Sequence, residues 1–336
     1  MLALGLIGWV MSGDKETAAS LEDSQATAGP QATASASGPY APLSPSVSGS
    51  SAPSSPASAN PSKTSPRPAK TEAAAAVSRA RGSFPGAGNT GIPAGTKLKA
   101  TSSSVLRIKK AGTVVNGVDI RADISVEADN VTIKNSRVIT AGEWGIIQRE
   151  NVKGLVVQDS EIRGNGKDRL QHAIFNLGGH ITILRNDMSV VSDAISTSVG
   201  LIQDNYLHDP IYFDGDHTDM IQSNSGPGGG QQLVIRHNTV VNTLDQTAAI
   251  ALFQDFGVQH DAIIENNLLA GGGYTLYGGA GTKGTSFNIK VTGNVFSREV
   301  HPKSGQYGPV AYWDKNGAGN VWQGNVWADT GQPVTP

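Results

Sequence analysis

A short phrase returns along the chain from residue 113 to residue 327: apolar, x, apolar, two or three polar residues, Asn, x, apolar. It reads VTIKNSRV at 131–138, LVVQDSEI at 155–162, ITILRNDM at 181–188, LVIRHNTV at 233–240, AIIENNLL at 262–269 and IKVTGNVF at 289–296. Looser copies are TVVNGV (113–118), LIQDNYL (201–207) and VWQGNVW (321–327). The marker column is Asn116, Ser136, Ser160, Asn186, Asn205, Asn238, Asn266, Asn294 and Asn325, spaced 19 to 33 residues apart. Self-similarity at that period denotes a solenoid. The apolar alternation has a β period, and each unit is too short for a strand plus a helix of normal length. Each unit is therefore one turn of a coil of short strands, right-handed by the general crossover preference. The markers have two candidate roles. Asn tolerates the left-handed conformation at a sharp bend, and stacked Asn side chains can hydrogen-bond from coil to coil.

The Asn-marked coils resemble the right-handed parallel β-helix of the pectin lyase-like superfamily, over residues 84 to the end. The resemblance implies an all-β solenoid of about nine coils over residues 83–336. It leaves activity open, since that superfamily holds lyases, hydrolases, epimerases and binding proteins. Composition agrees with an all-β, turn-rich chain. The charged fraction is 16%, below the usual quarter, and there are 41 Gly. The formal net charge of −2 excludes a clustered basic footprint for nucleic acid. The absence of Cys excludes a disulfide partner, thiolate metal sites and a Cys nucleophile.

A second strand row lies between the markers: GIIQ (145–148), AIFN (173–176), AIST (194–197), MIQS (220–223), AIAL (249–252), TLYG (275–278) and VAYW (310–313). Its column Ile146, Ile174, Ile195, Ile221, Ile250, Leu276 and Ala311 is read as core. Alternation then places both neighbouring columns outward. The small preceding column, Gly145 to Val310, would leave room above the sheet. The following column, with Phe175, Ser196, Gln222, Tyr277 and Tyr312, would offer aromatic and hydrogen-bonding surface. One position earlier stand Trp144, His172, Asp193, Asp219, Ala248, Tyr274 and Pro309. Two stacked Asp in a dry core would be very costly, so this polar column is placed outward at the strand mouth.

The densest polar stretch is HDPIYFDGDHTDMIQ (208–222), in the longest marker interval. Long loops on a rigid scaffold commonly carry function; the plain alternative is an Asp-rich turn built on side-chain-to-backbone hydrogen bonds. Asp193, Asp219, His217 and His172 are the candidate catalytic groups. Paired carboxylates serve as acid and base or nucleophile in glycoside hydrolysis. With Asp216 they could instead ligate calcium through oxygen. Candidate substrate contacts are Phe175, Gln222, Tyr212, Tyr277, Trp144 and Arg169. HTD (217–219) loosely resembles an Asn-Thr-Asp motif of polygalacturonase-type hydrolases, whose other motifs are missing. DGDHTD (214–219) loosely resembles the Asp-Pro-His-Asp motif of alginate epimerases. Neither transfers a mechanism. GPGGG (226–230) is a loop rather than a phosphate cradle, and His180, His237, His260 and His301 read as turn or strand-edge residues.

Residues 1–12, MLALGLIGWVMS, form an apolar run too short to span a bilayer, and read as an export signal or a truncated membrane anchor. Residues 13–82 are a disordered Ser/Pro/Ala/Thr-rich linker holding nine of the 17 prolines. Trp313, Trp322 and Trp327 are expected to cap the core at its last coils, and residues 84–96 at its start. The expectation is a monomeric, secreted or surface-anchored protein acting on a polysaccharide by lyase or glycosidase chemistry. The alternative is a glycan-binding or adhesin-like module without catalysis.

Overall fold

The computed structural model describes residues 84–101 and 104–336; the segments read above as 1–12 and 13–82 lie outside them. Among the described residues there is no helix. Parallel sheets of ten, nine and nine strands, A, B and C, each join strands from successive turns of the chain. Each turn runs from a C strand through an Asn-marked corner to an A strand, over a loop to a B strand, and back to C. The result is a right-handed parallel β-helix of about nine coils.

In-register stacking makes one apolar column per sheet. Sheet A stacks Ile120, Val138, Ile162, Met188, Leu207, Val240, Leu269, Phe296 and Trp327. Sheet C stacks Val115, Ile133, Val157, Ile183, Ile202, Ile235, Ile264, Val291 and Trp322. Sheet B stacks Ile124, Ile146, Ile174, Ile195, Ile221, Ile250, Leu276 and Val310. The last member corrects the sequence register. Tyr274 pairs with Gly308, so Val310 rather than Ala311 enters the core, and Gly308 rather than Pro309 continues the polar column. Trp313, Trp322 and Trp327 pack against the end of the core, as expected of a cap.

The corner ladder is continuous and buried. The backbone N–H of Ser160, Asn186, Asn205, Asn238, Asn267 and Asn294 donates to the side-chain oxygen of the next marker, Asn186, Asn205, Asn238, Asn267, Asn294 and Asn325 in turn. Each Asn amide also donates to a carbonyl of the preceding coil, as Asn205 Nδ2 does to Ile183 O at 2.9 Å. Ser136 and Ser160 accept the same backbone bond through Oγ. Two markers are corrected. Asn267, not Asn266, is the ladder residue, and Asn116 stands opposite Lys134 on sheet C, so the ladder starts at Val118 N–H. The left-handed conformation belongs to the residue before each marker: Asn135, Asp159, Arg185, Asp204, His237 and Asn266 all have φ near +50°. The marker bonds; its predecessor bends.

Residues 84–98 do not cap the start. Phe84 packs with Leu268, Val295, Val326 and Ala328 at the far end of sheet A and stacks on His237. Gly91 N–H donates to Arg185 O at 2.9 Å. Gly91 has φ +74°, and a Cβ there would lie 3.1 Å from Asp187 Cβ, so the segment lies tight on the sheet. It ends by pairing Lys99 with Val118 in the first coil. The segment is a strap laid along sheet A from the last coils to the first.

Candidate functional site

The site is built on sheet B. Trp144, His172 and Asp193 stand in register on neighbouring strands, and Asp219 follows opposite Ala248. Asp193 and Asp219 of this column are buried, yet they line a cavity on the outer side of the sheet rather than entering the apolar core. The column after it, however, is not outward. Ala173, Ala194, Met220, Ala249 and Thr275 are fully buried, as are the Ile residues beside them. Two consecutive residues of each strand point inward, which places a bend at this point and turns the preceding residue out. The column is small because the core corner is tight: a Cβ on Gly145 would lie 2.9 Å from Ala173 O.

Over this column the loop 208–218 closes a cavity of about 460 Å³, lined by Arg169, Gln171, His172, Asp193, Gly215, Asp216, His217, Asp219, Gln222, Thr247, Phe253 and Asp255. All four candidate catalytic residues therefore meet in one place. Asp193 Oδ1 accepts from the backbone N–H of Asp219 at 2.9 Å. Its Oδ2 accepts from Gln171 Nε2 at 2.6 Å and Gln222 Nε2 at 3.4 Å. Burial still outweighs these bonds and pushes Asp193 up to about 7. Asp219 is raised well above the carboxylate range by burial, and further by the Asp193 and Asp255 charges. His172 lies 3.6 Å from Asp193 Oδ2, beyond hydrogen-bond distance. Burial, then the Arg169 charge, pull it down to about 4, so it is neutral and the contact is no ion pair. Gln171 Oε1, His172 Nδ1 and Asp219 Oδ1 are buried there without a protein partner, the kind of unpaired group that marks a site rather than a core.

Asp216 holds the loop. It is buried, accepts from Phe213 N–H at 3.1 Å, and pairs with Arg169 Nε at 2.9 Å. Those bonds occupy both of its oxygens, and Asp193 is likewise engaged. Among the described residues no group of three His, Asp or Glu side chains is placed to hold a metal. The donor set Asp193, Asp216 and Asp219 does not fit a calcium cage.

The other predicted contacts divide. Gln222 and Arg169 line the cavity. Phe175 stacks on His172, ring centroids 4.7 Å apart, and faces a second cavity. Tyr277 sits among Phe253, Tyr274 and Tyr312, pushed to about 12 mainly by burial. Tyr212 is exposed on the loop and outside the cavity lining. Trp144 lies one coil before His172 and covers Arg149, with 4.7 Å from guanidinium to ring. His208, from the same acidic stretch, turns away to Asp187 and Asp209. Sequence reasoning missed Gln171, Thr247, Phe253 and Asp255. Gln171 is the immediate neighbour of His172; the other three flank strand Ala248–Leu252, one coil beyond Asp219.

Comparison with protein-family models, with curated proteins and with solved structures found no match.

Proposed function

We propose that the protein is a secreted or surface-anchored glycoside hydrolase acting within a polysaccharide, with Asp219 as general acid and Asp193 as base or nucleophile. The observation that carries this reading is the pair itself. Two adjacent buried carboxyl groups in one cavity are both held above the normal range, and the Asp193 charge is one of the causes that raise Asp219. Environments that set two titrating groups apart are how acid and base roles are divided at one pH. Asp193, at about 7, is poised to lose its proton near neutrality, and its charge then favours the proton on Asp219, from which it can pass to the leaving oxygen. Electrostatics favour hydrolysis over elimination on a uronate. Arg169 is already paired to Asp216, and Asp255 adds a further carboxylate, so a substrate carboxylate would meet net negative charge. The likeness of the Asn-marked coils to the pectin lyase-like superfamily is compatible with this activity, and the export reading of residues 1–12 puts the substrate outside the cell.

A second reading, a glycan-binding module without turnover, is favoured by the full hydrogen bonding of the Asp193 carboxylate, which a purely structural latch would also have. The deciding experiment incubates the protein with neutral and uronate polysaccharides, reading reducing ends and unsaturated products separately. Reducing ends released from neutral chains are expected, and Asp219→Asn should lower the rate about 10²- to 10⁴-fold, the span of one acid–base group. Because Asp193 must be ionised, activity should fall as pH drops below about 7. No product from any chain would favour the binding module.

A further inference from the structure

The proposed chemistry leaves unused a second cavity of about 410 Å³ at the other end of the same strands. It is framed by Phe175, Leu177, Ser196 and Ser198 from sheet B and the turns after it. Asn224 and the GPGGG loop close one side, and Phe256 lies next to them, its backbone N–H donating to Asn224 O at 3.0 Å. Its lining contains no charged residue, whereas the first cavity gathers four Asp, two His and an Arg. Phe256 is 82% exposed and Leu177 42%, an unusual outlay of apolar surface beside a hollow. Asn224 Oδ1 is buried without a protein partner.

The two cavities adjoin. The Phe175 ring lines the second and stacks on His172, which lines the first. The segment 253–256 supplies Phe253 and Asp255 to the charged cavity and Phe256 to the uncharged one. Ser196, which lines the second, and Gln222, which lines the first, are paired in register on neighbouring strands. From Asp193 to Ser196 is roughly 10 Å along an extended strand, the reach of a short oligosaccharide.

We infer that the second cavity is a subsite for an uncharged sugar residue of the same polymer whose bond lies in the first cavity, so that the glycan crosses sheet B along the strands rather than along the solenoid axis. The inference rests on the hydrolase reading for what happens in the first cavity. The chemistry of the second stands by itself. Flat apolar rings suit a sugar face, amide and hydroxyl groups suit its hydroxyls, and a site without cations gives a uronate nothing to pair with.

The test measures binding of linear uncharged oligosaccharides of graded length, and of their uronate counterparts, by calorimetry. The proteins are the parent, Phe256→Ala, Phe256→Trp and Asp219→Asn. Phe256 is so exposed that its replacement leaves the fold intact. The expected result is that longer uncharged probes bind, that Phe256→Ala weakens them about tenfold while Phe256→Trp restores them, and that Asp219→Asn keeps them. Disaccharides should not sense Phe256. The inference is overturned if no uncharged probe binds, if uronates bind better, or if Phe256→Ala leaves every length unchanged. Binding with this pattern but no turnover would sink the hydrolase reading and keep the subsite. Turnover that ignores Phe256 would do the reverse.

Discussion

At the level of single residues, the markers are hydrogen-bonding devices before they are turn formers. Asn238 accepts from Asn205 N–H, donates to Ile202 O, and passes its amide on to Asn267. Asn238→Ala would strand a buried donor and a buried acceptor, each costing about 1–3 kcal/mol. A loss of about 2–4 kcal/mol in denaturant unfolding is expected. Asn238→Ser should cost less, because Ser136 and Ser160 show that Oγ can take the backbone bond. Asp193 predicts the opposite sign. Its folded pKa, about 7, lies above the ordinary 3.8, so the folded state favours the proton. Its contribution to stability is whole below about pH 4 and is lost as pH rises through 7. Asp193→Asn should therefore raise Tm near pH 8.5, by no more than about 4 kcal/mol of stability, and leave it unchanged near pH 4. A variant equally stable or less stable at alkaline pH would refute the raised pKa.

At the level of elements, the acidic loop 208–218 is tied at His208, Asp209, Ile211 and Thr218 by backbone bonds, and at its tip by one partly exposed ion pair. Arg169 leaves strand-side solvent to reach Asp216, which is buried and also ties Phe213. Arg169→Met should speed hydrogen exchange and proteolysis within 208–218 while leaving the ladder amides protected. Equal loosening of the ladder would show that the pair supports the coil instead. The strands themselves were largely open to reading from sequence, because β alternation and the corner Asn are local signals. Ile174, Ile195 and Ile221 fall in register as expected. The slips occur where local pattern is ambiguous. ENN (265–267) offers two Asn for one marker, and partner pairing alone chooses Asn267. PVAYW (309–313) can be placed in two registers, and only the Tyr274–Gly308 pairing decides. The bend that buries Ala173 beside Ile174 breaks the alternation itself, so no period could announce it. Phe253 and Asp255 enter the cavity from a connection with no period at all.

For the whole molecule, the strap matters most. A solenoid is coupled only between neighbouring coils, and its ends are where it opens first. Here Phe84 is lodged beside Val326 and Ala328 of the last coil, while Lys99 pairs with Val118 of the first. The last coil cannot peel away without dislodging a segment that the first coil also holds. Phe84→Ala should uncouple the two ends. Hydrogen exchange near Val326 should then quicken more than exchange at Ile195, and the single unfolding transition expected of the parent should broaden or split. A ladder of weak steps has in this way been wired into a ring, and a ring has no loose end from which to unravel.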